Sequence, residues 1–281
     1  MRLVLDTNIY SFGPLSEIAA LAERGFLLSV SEIAFTEALA KSVREYQAGT
    51  SREQARGKFF ARAKRLAPFM NPSCPVALGA GGITRRIAAS LEGGALDTLA
   101  EEQASLLDRM WRAAVDAEYS DEVWLGCGAS GEQWLTWRDD ALSLVVRTMR
   151  EQPKPHGWAT MDDVERINSV RASLARFWRF SPELAERLDA HIATVACRIC
   201  EGAAGSRPPR RNDGADVHLT QHLAEGVVLL TADGPLIDLV DRANTYQAPW
   251  VRRLNDLEDL PRGVPWGETA LHATRAFTRK R

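Results

Sequence analysis

The chain has 281 residues, of which 45% are hydrophobic and 26% charged, and its formal net charge is -2. This is the composition of an ordinary globular protein: the charge excludes a global attraction to nucleic acid, and four cysteines are too few for a disulfide framework. No apolar run approaches the roughly 20 residues of a membrane span, and the chain opens on a strand instead of a signal peptide, so we expect a soluble cytoplasmic protein with reduced thiols.

The first predicted element is a buried strand that ends in a carboxylate. Leu3, Val4 and Leu5 form an uninterrupted apolar run, which is typical of a strand covered on both faces of a parallel sheet, and Asp6 follows at once. Ligands of open parallel sheets bind beyond the carboxyl ends of the strands. We therefore expect this strand in the middle of the sheet and Asp6 at a site of chemistry.

A helix, a second strand and a second helix follow. Apolar spacing predicts a helix over 14–24, a strand over 26–30 and a further helix with Ser31 as its N-cap. Because such a crossover is right-handed in nearly all proteins, the second strand is predicted to lie parallel to the first and beside it. Glu37 lies almost two turns into the second helix, where its carboxylate either faces inward against a cation or lies on the solvated side.

The stretch 48–206 is predicted to be mainly helical, and the chain length allows it to be a large insertion or a second domain. Ser51 begins a helix with a capping box. Apolar spacing and breaker residues predict three further helices, over 83–117, 161–180 and 181–203, and a loop over 71–82.

Two sets of side chains in this stretch allow either a structural or a nucleic-acid-binding interpretation. The helix after Ser51 carries six cations, which form a solvated face or contact phosphates: Arg52, Arg56, Lys58, Arg62, Lys64 and Arg65. Trp134 and Trp137 are three residues apart, a spacing that favours a place in the hydrophobic core over stacking on nucleobases.

Neither the cysteines nor the histidines predict a zinc site. Cys197 and Cys200 form a single CxxC pattern without a second pair of thiols, which favours a half-buried helix face. His191, His218 and His222 are scattered along the chain and match no zinc hydrolase motif. His218 and His222 are four residues apart on one predicted helix, where a neutral structural role is favoured over a phosphate contact.

A second strand that ends in an acid lies near the end of the chain. After an arginine-rich linker at 207–211, Asp213 and Asp216 lie in the opening turn of a predicted helix that Gly226 closes. Residues 227–231 are again a buried apolar run, and this run leads into Asp233. The remaining predicted elements are a helix over 235–242, a short strand over 248–251 and a basic tail over 261–281.

In this order the motifs resemble those of the PIN domain nucleases. The shared features are Asp6-Thr7-Asn8 after the first strand, Ser31 six residues before Glu37, Asp213 and Asp216 at the start of a helix, and Thr231 and Asp233 after a strand. The resemblance implies an α/β fold, a three-layer α/β/α sandwich around a central, mainly parallel sheet. It assigns 1–47 and 207–260 to the PIN-like catalytic core, 48–206 to a helical insertion or cap, and 261–281 to a basic tail.

The resemblance also implies an acidic pocket that holds Mg²⁺ or Mn²⁺. Carboxylates gathered at one sheet edge repel one another unless a divalent cation neutralises them, and oxygen-only ligands favour Mg²⁺ or Mn²⁺ over zinc. Asp6, Glu37 and Asp216 are expected to hold the principal ion. Asp233 is expected to hold it through water or to support a second ion, and Asp213 to assist at the rim; the first four acids would carry the reaction.

Five further residues are expected to assist the site. Asn8 and Thr231 would orient water or the carboxylates through hydrogen bonds. Arg207, Arg210 and Arg211 either line the path of the phosphates or belong to a solvated linker.

The implied activity is metal-dependent endonuclease hydrolysis of phosphodiester bonds, with single-stranded or structured RNA preferred over DNA. The same resemblance extends to toxins and defence effectors, with an antitoxin or another protein as partner, and to homodimers. Two alternatives stay open: a catalytically inactive PIN-like scaffold that binds RNA or a partner protein, and a DNA nuclease. A phosphatase that forms an aspartyl-phosphate is disfavoured, because Asn8 stands where that chemistry needs a second acid.

Overall fold

The computed structural model describes residues 1–79, 96–152, 154, 157–175, 186, 188–203, 210, 212–224 and 226–257. The predictions for 80–95, 176–185, Arg207, Arg211 and 261–281 lie outside these residues.

The fold is α/β and is built on a five-stranded sheet whose strands are all parallel. Its strands are β1 (Arg2–Leu5), β2 (Leu27–Ser31), β3 (Val76–Ala77), β4 (Val227–Leu230) and β5 (Val251–Arg252). The order β3-β2-β1-β4-β5 confirms that β1 is central and that β2 lies parallel beside it. Leu5 pairs with Val30 on one side and with Leu230 on the other, so these three strands end at one edge of the sheet.

The helices of the described residues lie between these strands along the chain. They are α1 (Thr7–Phe12), α2 (Leu15–Glu23), α3 (Glu32–Gln47), α4 (Arg52–Leu66), α5 (Leu96–Asp116), α6 (Asp121–Glu151), α7 (Asp163–Ala175), α8 (Asp189–Ala203), α9 (Asp213–Leu219) and α10 (Gly234–Ala243). Among these residues, no helix combines the length and the apolar character needed to cross a membrane.

Two predicted N-caps are confirmed. Ser31 Oγ accepts a hydrogen bond from Ala34 N at 3.0 Å at the start of α3, and Ser51 Oγ accepts one from Gln54 N at 3.3 Å at the start of α4.

Three predicted segments need correction. The segment 71–82 contains strand β3, which has only two residues and is too short to show the alternation that marks a strand. Helix α9 ends at Leu219, because Thr220 Oγ1 donates a hydrogen bond to Val217 O at 2.6 Å and a 3-10 turn follows. The segment 248–251 is mostly a 3-10 helix; Pro249 has no N–H for a strand ladder, and β5 begins at Val251.

Hydrophobic side chains cover both faces of the sheet. Leu3 and Leu5 pack in one cluster with Phe35 of α3, whereas Val4 packs in a second cluster with Leu236 of α10. Because successive side chains of a strand point to opposite faces, helices cover the sheet on both sides. The strand ends are therefore the part of the sheet left for chemistry.

The long helix α6 packs directly against α3. A Cβ on Gly128 would overlap the side chain of Val43, and a Cβ on Gly131 would lie 2.9 Å from Thr36 Cγ2. Trp124 is fully buried and donates a hydrogen bond through Nε1 to Ser42 Oγ at 2.9 Å. Helices from the stretch 48–206 thus share a hydrophobic core with the sheet.

Three of the six cations of α4 contact other parts of the protein. Arg52 and Arg56 of α4 form ion pairs with Asp121, and Arg62 donates hydrogen bonds to carbonyl oxygens at the end of α1.

For the tryptophans of α6, the prediction of a place in the hydrophobic core is wrong at Trp137, which is 63% exposed. Trp134 is half-buried, with the Arg138 guanidinium 3.2 Å from its ring centroid.

The predicted half-buried helix face at the CxxC pattern is confirmed. Cys197 is buried and Cys200 is half-buried on α8, and both are free thiols. Burial raises the pKa of the Cys197 thiol to about 12 and that of Cys200 to about 11.

Candidate active site

Asp6 lies where β1 ends and α1 begins, and its carboxylate is only 3% exposed. One carboxylate oxygen accepts a hydrogen bond from Thr7 N, and the other accepts one from Thr231 Oγ1 at 2.6 Å. Burial raises the pKa of Asp6, and the nearby charge of Asp233 adds to the rise. The side chain is thus held by neutral donors in a place where its negative charge is costly.

Thr231 connects Asp6 to the end of β4. The pairing of Leu5 with Leu230 brings Thr231 beside Asp6. Thr231 Oγ1 donates to Asp6 and accepts a hydrogen bond from Asp233 N at 2.9 Å, so the hydrogen bond expected between Thr231 and a carboxylate is present. Asp233 in turn caps α10, where its carboxylate accepts a hydrogen bond from Leu236 N at 3.2 Å.

Glu37 is half-buried, and its carboxylate is directed at Thr7 beside Asp6. Its carboxylate accepts a hydrogen bond from Thr7 Oγ1, and burial followed by the charges of Asp6 and Asp139 raises its pKa. Of the two orientations open for Glu37, the structure therefore has the inward one. Thr7 joins Glu37 to Asp6, since its backbone N–H donates to Asp6 and its hydroxyl donates to Glu37.

Asp216 of α9 is the fourth acid of the candidate site, beside Asp6, Glu37 and Asp233. Burial raises the pKa of its carboxyl to about 8, and the charges of Asp233, Asp6 and Asp213 contribute to this rise. The carboxylates of two strand ends and of α9 therefore lie close enough to repel one another.

Asp213 is buried and ion-paired, and the expectation that it lies at the rim is wrong. It is 3% exposed, and its Oδ1 lies 3.1 Å from Arg198 Nη2 of α8. Its Oδ2 accepts a hydrogen bond from Arg210 N at 2.7 Å. The prediction fails because Arg198, from the stretch 48–206, supplies a buried cation next to Asp213, and no sequence pattern indicates this contact.

Asn8 and Arg210 are the other predicted site residues that the structure describes. Asn8 is half-buried in the first turn of α1. The side chain of Arg210 is exposed and lines a surface cavity of about 550 Å³ with Pro235, Asp238, Asp241 and Arg242. Because this cavity carries both signs of charge, it offers only a mixed surface to phosphates.

Sequence reasoning missed a hydrogen-bonding role for Thr7 and for Asp139. Thr7 lies inside the Asp-Thr-Asn motif. Its contact with Glu37 joins residues 30 positions apart, and no local pattern predicts it. Asp139 lies on α6, where its oxygens accept hydrogen bonds from Asn212 N and Gly214 N, both at 2.8 Å.

A second polar cluster brings together the histidines that are scattered along the sequence. His222 Nε2 lies 2.7 Å from Glu32 Oε2, and the rings of His191 and His218 are in contact. Glu32 loses solvation, but His222 and Arg138 outweigh this and hold its pKa at about 2. Burial lowers the pKa of His191 to about 4 and that of His218 to about 3, so both imidazoles are neutral at pH 7.

The chemistry of the acidic group fits a hard divalent cation. The donors of Asp6, Glu37, Asp216 and Asp233 are all carboxylate oxygens, the ligands that Mg²⁺ and Mn²⁺ prefer. Within the described residues, however, no three His, Cys, Asp or Glu side chains form a group that could hold an ion in their present positions. Asp6, Glu37 and Asp233 instead direct carboxylate oxygens at donors of the protein itself.

Comparisons with protein-family models, curated proteins and solved structures gave no match to this chain.

Proposed function

We propose that this chain is a Mg²⁺- or Mn²⁺-dependent nuclease with a PIN-like catalytic core, and that it hydrolyses phosphodiester bonds of RNA. One observation carries the proposal: hydrogen bonds join acidic residues from three separate parts of the chain at one edge of the sheet. Glu37 is joined to Asp6 through Thr7, and Asp6 is joined to Asp233 through Thr231.

The electrostatics of the group support a bound cation. The charges of Asp6 and Asp233 raise the pKa of the half-buried Asp216. Such crowding disfavours the charged carboxylates in the protein alone, and a divalent cation would relieve it. Asp6, Glu37 and Asp216 would hold the ion, with Asp233 bound through water or supporting a second ion.

The chain's own residues would provide placement. When bound, the ion supplies an activated water and stabilises negative charge on the phosphate. Thr7 and Thr231 restrict the rotation of Glu37 and Asp6, so that both carboxylates stay at the sheet edge. The half-buried Asn8 lies close enough in sequence to orient a water beside Asp6.

The direct test is cleavage of a single-stranded RNA with Mn²⁺ or Mg²⁺ by the wild type, Asp6→Asn and Asp140→Asn. Asp6→Asn keeps the size of the side chain but removes its charge, so we expect it to abolish cleavage while the circular dichroism spectrum stays unchanged. Asp140 is an exposed acidic residue of α6, so Asp140→Asn is the matched control for the loss of one negative charge. Cleavage by Asp6→Asn at the wild-type rate would remove Asp6 from the mechanism.

A non-catalytic scaffold is the second candidate function. It is favoured by the lack, within the residues that the structure covers, of a three-residue group placed to hold an ion. Titration calorimetry with Mn²⁺ separates the two proposals. Binding that disappears in Asp6→Asn supports the nuclease, whereas a folded wild type that binds single-stranded RNA but no Mn²⁺ supports the scaffold.

The preference for RNA over DNA rests on the resemblance to PIN domain nucleases, as do an antitoxin partner and a homodimer. Matched RNA and DNA oligonucleotides of one sequence test the substrate, because discrimination must come from contacts to the 2′-hydroxyl. Faster cleavage of the DNA strand would reassign the protein as a DNA nuclease.

A further inference from the structure

Asp139 of α6 holds the start of α9, the helix that carries Asp216. Its two carboxylate oxygens accept hydrogen bonds from Asn212 N and Gly214 N, both at 2.8 Å. The first amide groups of a helix need such acceptors, and the residue before the helix usually supplies one. Here Asn212 has a left-handed φ of 75° and its side chain makes no capping hydrogen bond, so a distant helix supplies the cap.

The backbones of α6 and α9 also touch. A Cβ on Gly214 would lie 2.7 Å from both the carbonyl carbon and the carbonyl oxygen of Arg138, and 2.8 Å from Asp139 N. Any larger residue would push the two helices apart, because the neighbouring atoms belong to backbone and cannot rotate away. The contact therefore fixes how close α9 lies to α6.

A short path connects Asp139 to the acidic group. Asn212 N donates to Asp139, and Asn212 O accepts a hydrogen bond from Asp216 N at 2.9 Å. The charge of Asp139 also reaches Glu37, where it adds to the effects of burial and of Asp6 on the pKa. Helix α9 has only seven residues, so holding its first turn determines where Asp216 lies.

We propose that Asp139 is a positioning residue for the cation site: it sets the place of Asp216 relative to Asp6 and Glu37 by holding the start of α9. This inference rests on the proposed function. It makes α6 a working part of the active site, although α6 lies in the stretch that the resemblance assigns to an insertion.

The test compares Asp139→Ala with Asp140→Ala, the exposed neighbour on the same helix, in the full-length protein. Titration calorimetry with Mn²⁺, well below the unfolding temperature, should give a dissociation constant about 10- to 100-fold higher for Asp139→Ala, the usual effect of removing a group that orients metal ligands. Asp140→Ala should bind Mn²⁺ as the wild type does. Amide hydrogen exchange should accelerate at Asn212 and Gly214 only in Asp139→Ala.

Two further variants keep the test decisive if Asp139→Ala does not fold. Asp139→Asn retains one acceptor oxygen and should restore part of the Mn²⁺ affinity. Gly214→Ala keeps Asp139 but separates the helices, and should weaken Mn²⁺ binding as well.

Equal Mn²⁺ affinity in the folded Asp139 and Asp140 variants, or unchanged amide exchange at Asn212 and Gly214, would overturn this inference alone. Absence of Mn²⁺ binding by the wild type would overturn the proposed function and this inference with it.

Discussion

At the scale of single residues, two threonine hydroxyls organise the acids. A hydroxyl can donate one hydrogen bond and accept others, and Thr231 does both, between Asp6 and the backbone of Asp233. Thr7 uses its backbone for Asp6 and its hydroxyl for Glu37. Neither threonine brings a positive charge to the carboxylates, so these hydrogen bonds hold the acids in place without neutralising them.

Replacing Thr7 by valine tests this role. Valine matches the shape of threonine but has no hydroxyl, so Glu37 would lose its donor while α1 keeps its packing. We expect Mn²⁺ affinity to fall about 10-fold, and RNA cleavage with it. Titration calorimetry measures the first and an oligonucleotide assay the second.

Thr7→Ser is the matched control, because serine retains the hydroxyl and should restore both readouts. A valine variant that binds Mn²⁺ as tightly as the serine variant would show that Thr7 does not position Glu37.

At the scale of elements, the sequence predicts what depends on local pattern and misses what depends on docking. Strands β1 and β4 are buried on both faces and therefore read as uninterrupted apolar runs that end at acids. No comparable pattern predicts α6, whose first three turns contain Gly126, Gly128 and Gly131, residues that each cost about 1 kcal/mol in a helix.

The candidate site divides in the same way. Asp6 and Asp233 are predictable because they follow strands that must share a sheet edge. The contact of Thr7 with Glu37, the ion pair of Asp213 with Arg198 and the cap from Asp139 all depend on how helices pack, which no local spacing encodes.

The glycines of α6 give a matched pair for testing its packing on α3. A Cβ at Gly128 would overlap the buried Val43, whereas a Cβ at Gly126 would meet nothing within 4 Å. We expect Gly128→Ala to lower the free energy of unfolding by about 1–3 kcal/mol through overpacking. Gly126→Ala should raise it by about 0.5–1 kcal/mol, because alanine is the better helix former.

Urea unfolding followed by circular dichroism measures both changes. Val43→Ala combined with Gly128→Ala should recover part of the loss, since it removes the overlapping methyl groups. Equal effects of the two glycine substitutions would contradict the close packing of α6 on α3.

At the scale of the whole molecule, Asp216 of α9 and His191 of α8 change the stability of the fold in opposite directions as the pH changes. Burial and neighbouring acids raise the pKa of Asp216 from 3.8 to about 8, so the folded protein retains a proton there that the unfolded chain releases, and stability falls as the pH rises through this range. His191 acts in the opposite direction. Burial lowers its pKa from 6.5 to about 4, so the unfolded chain takes up a proton first as the pH falls.

His191→Asn isolates the histidine contribution. His191 Nδ1 lies 3.0 Å from Val217 O, and the asparagine amide can donate a hydrogen bond to the same carbonyl. The stability due to neutral His191 is complete above pH 6.5 and is lost as the pH falls to about 4, a difference of about 3 kcal/mol. Because Asp216 contributes equally to both proteins, urea unfolding should show that the free energy of unfolding of the wild type falls relative to that of His191→Asn as the pH is lowered from 6.5 to 4. Gly128→Ala is the control, because it lowers stability without changing a titrating group and should run parallel to the wild type. A His191→Asn curve that also runs parallel would show that this histidine takes up a proton as readily in the folded protein as in the unfolded chain.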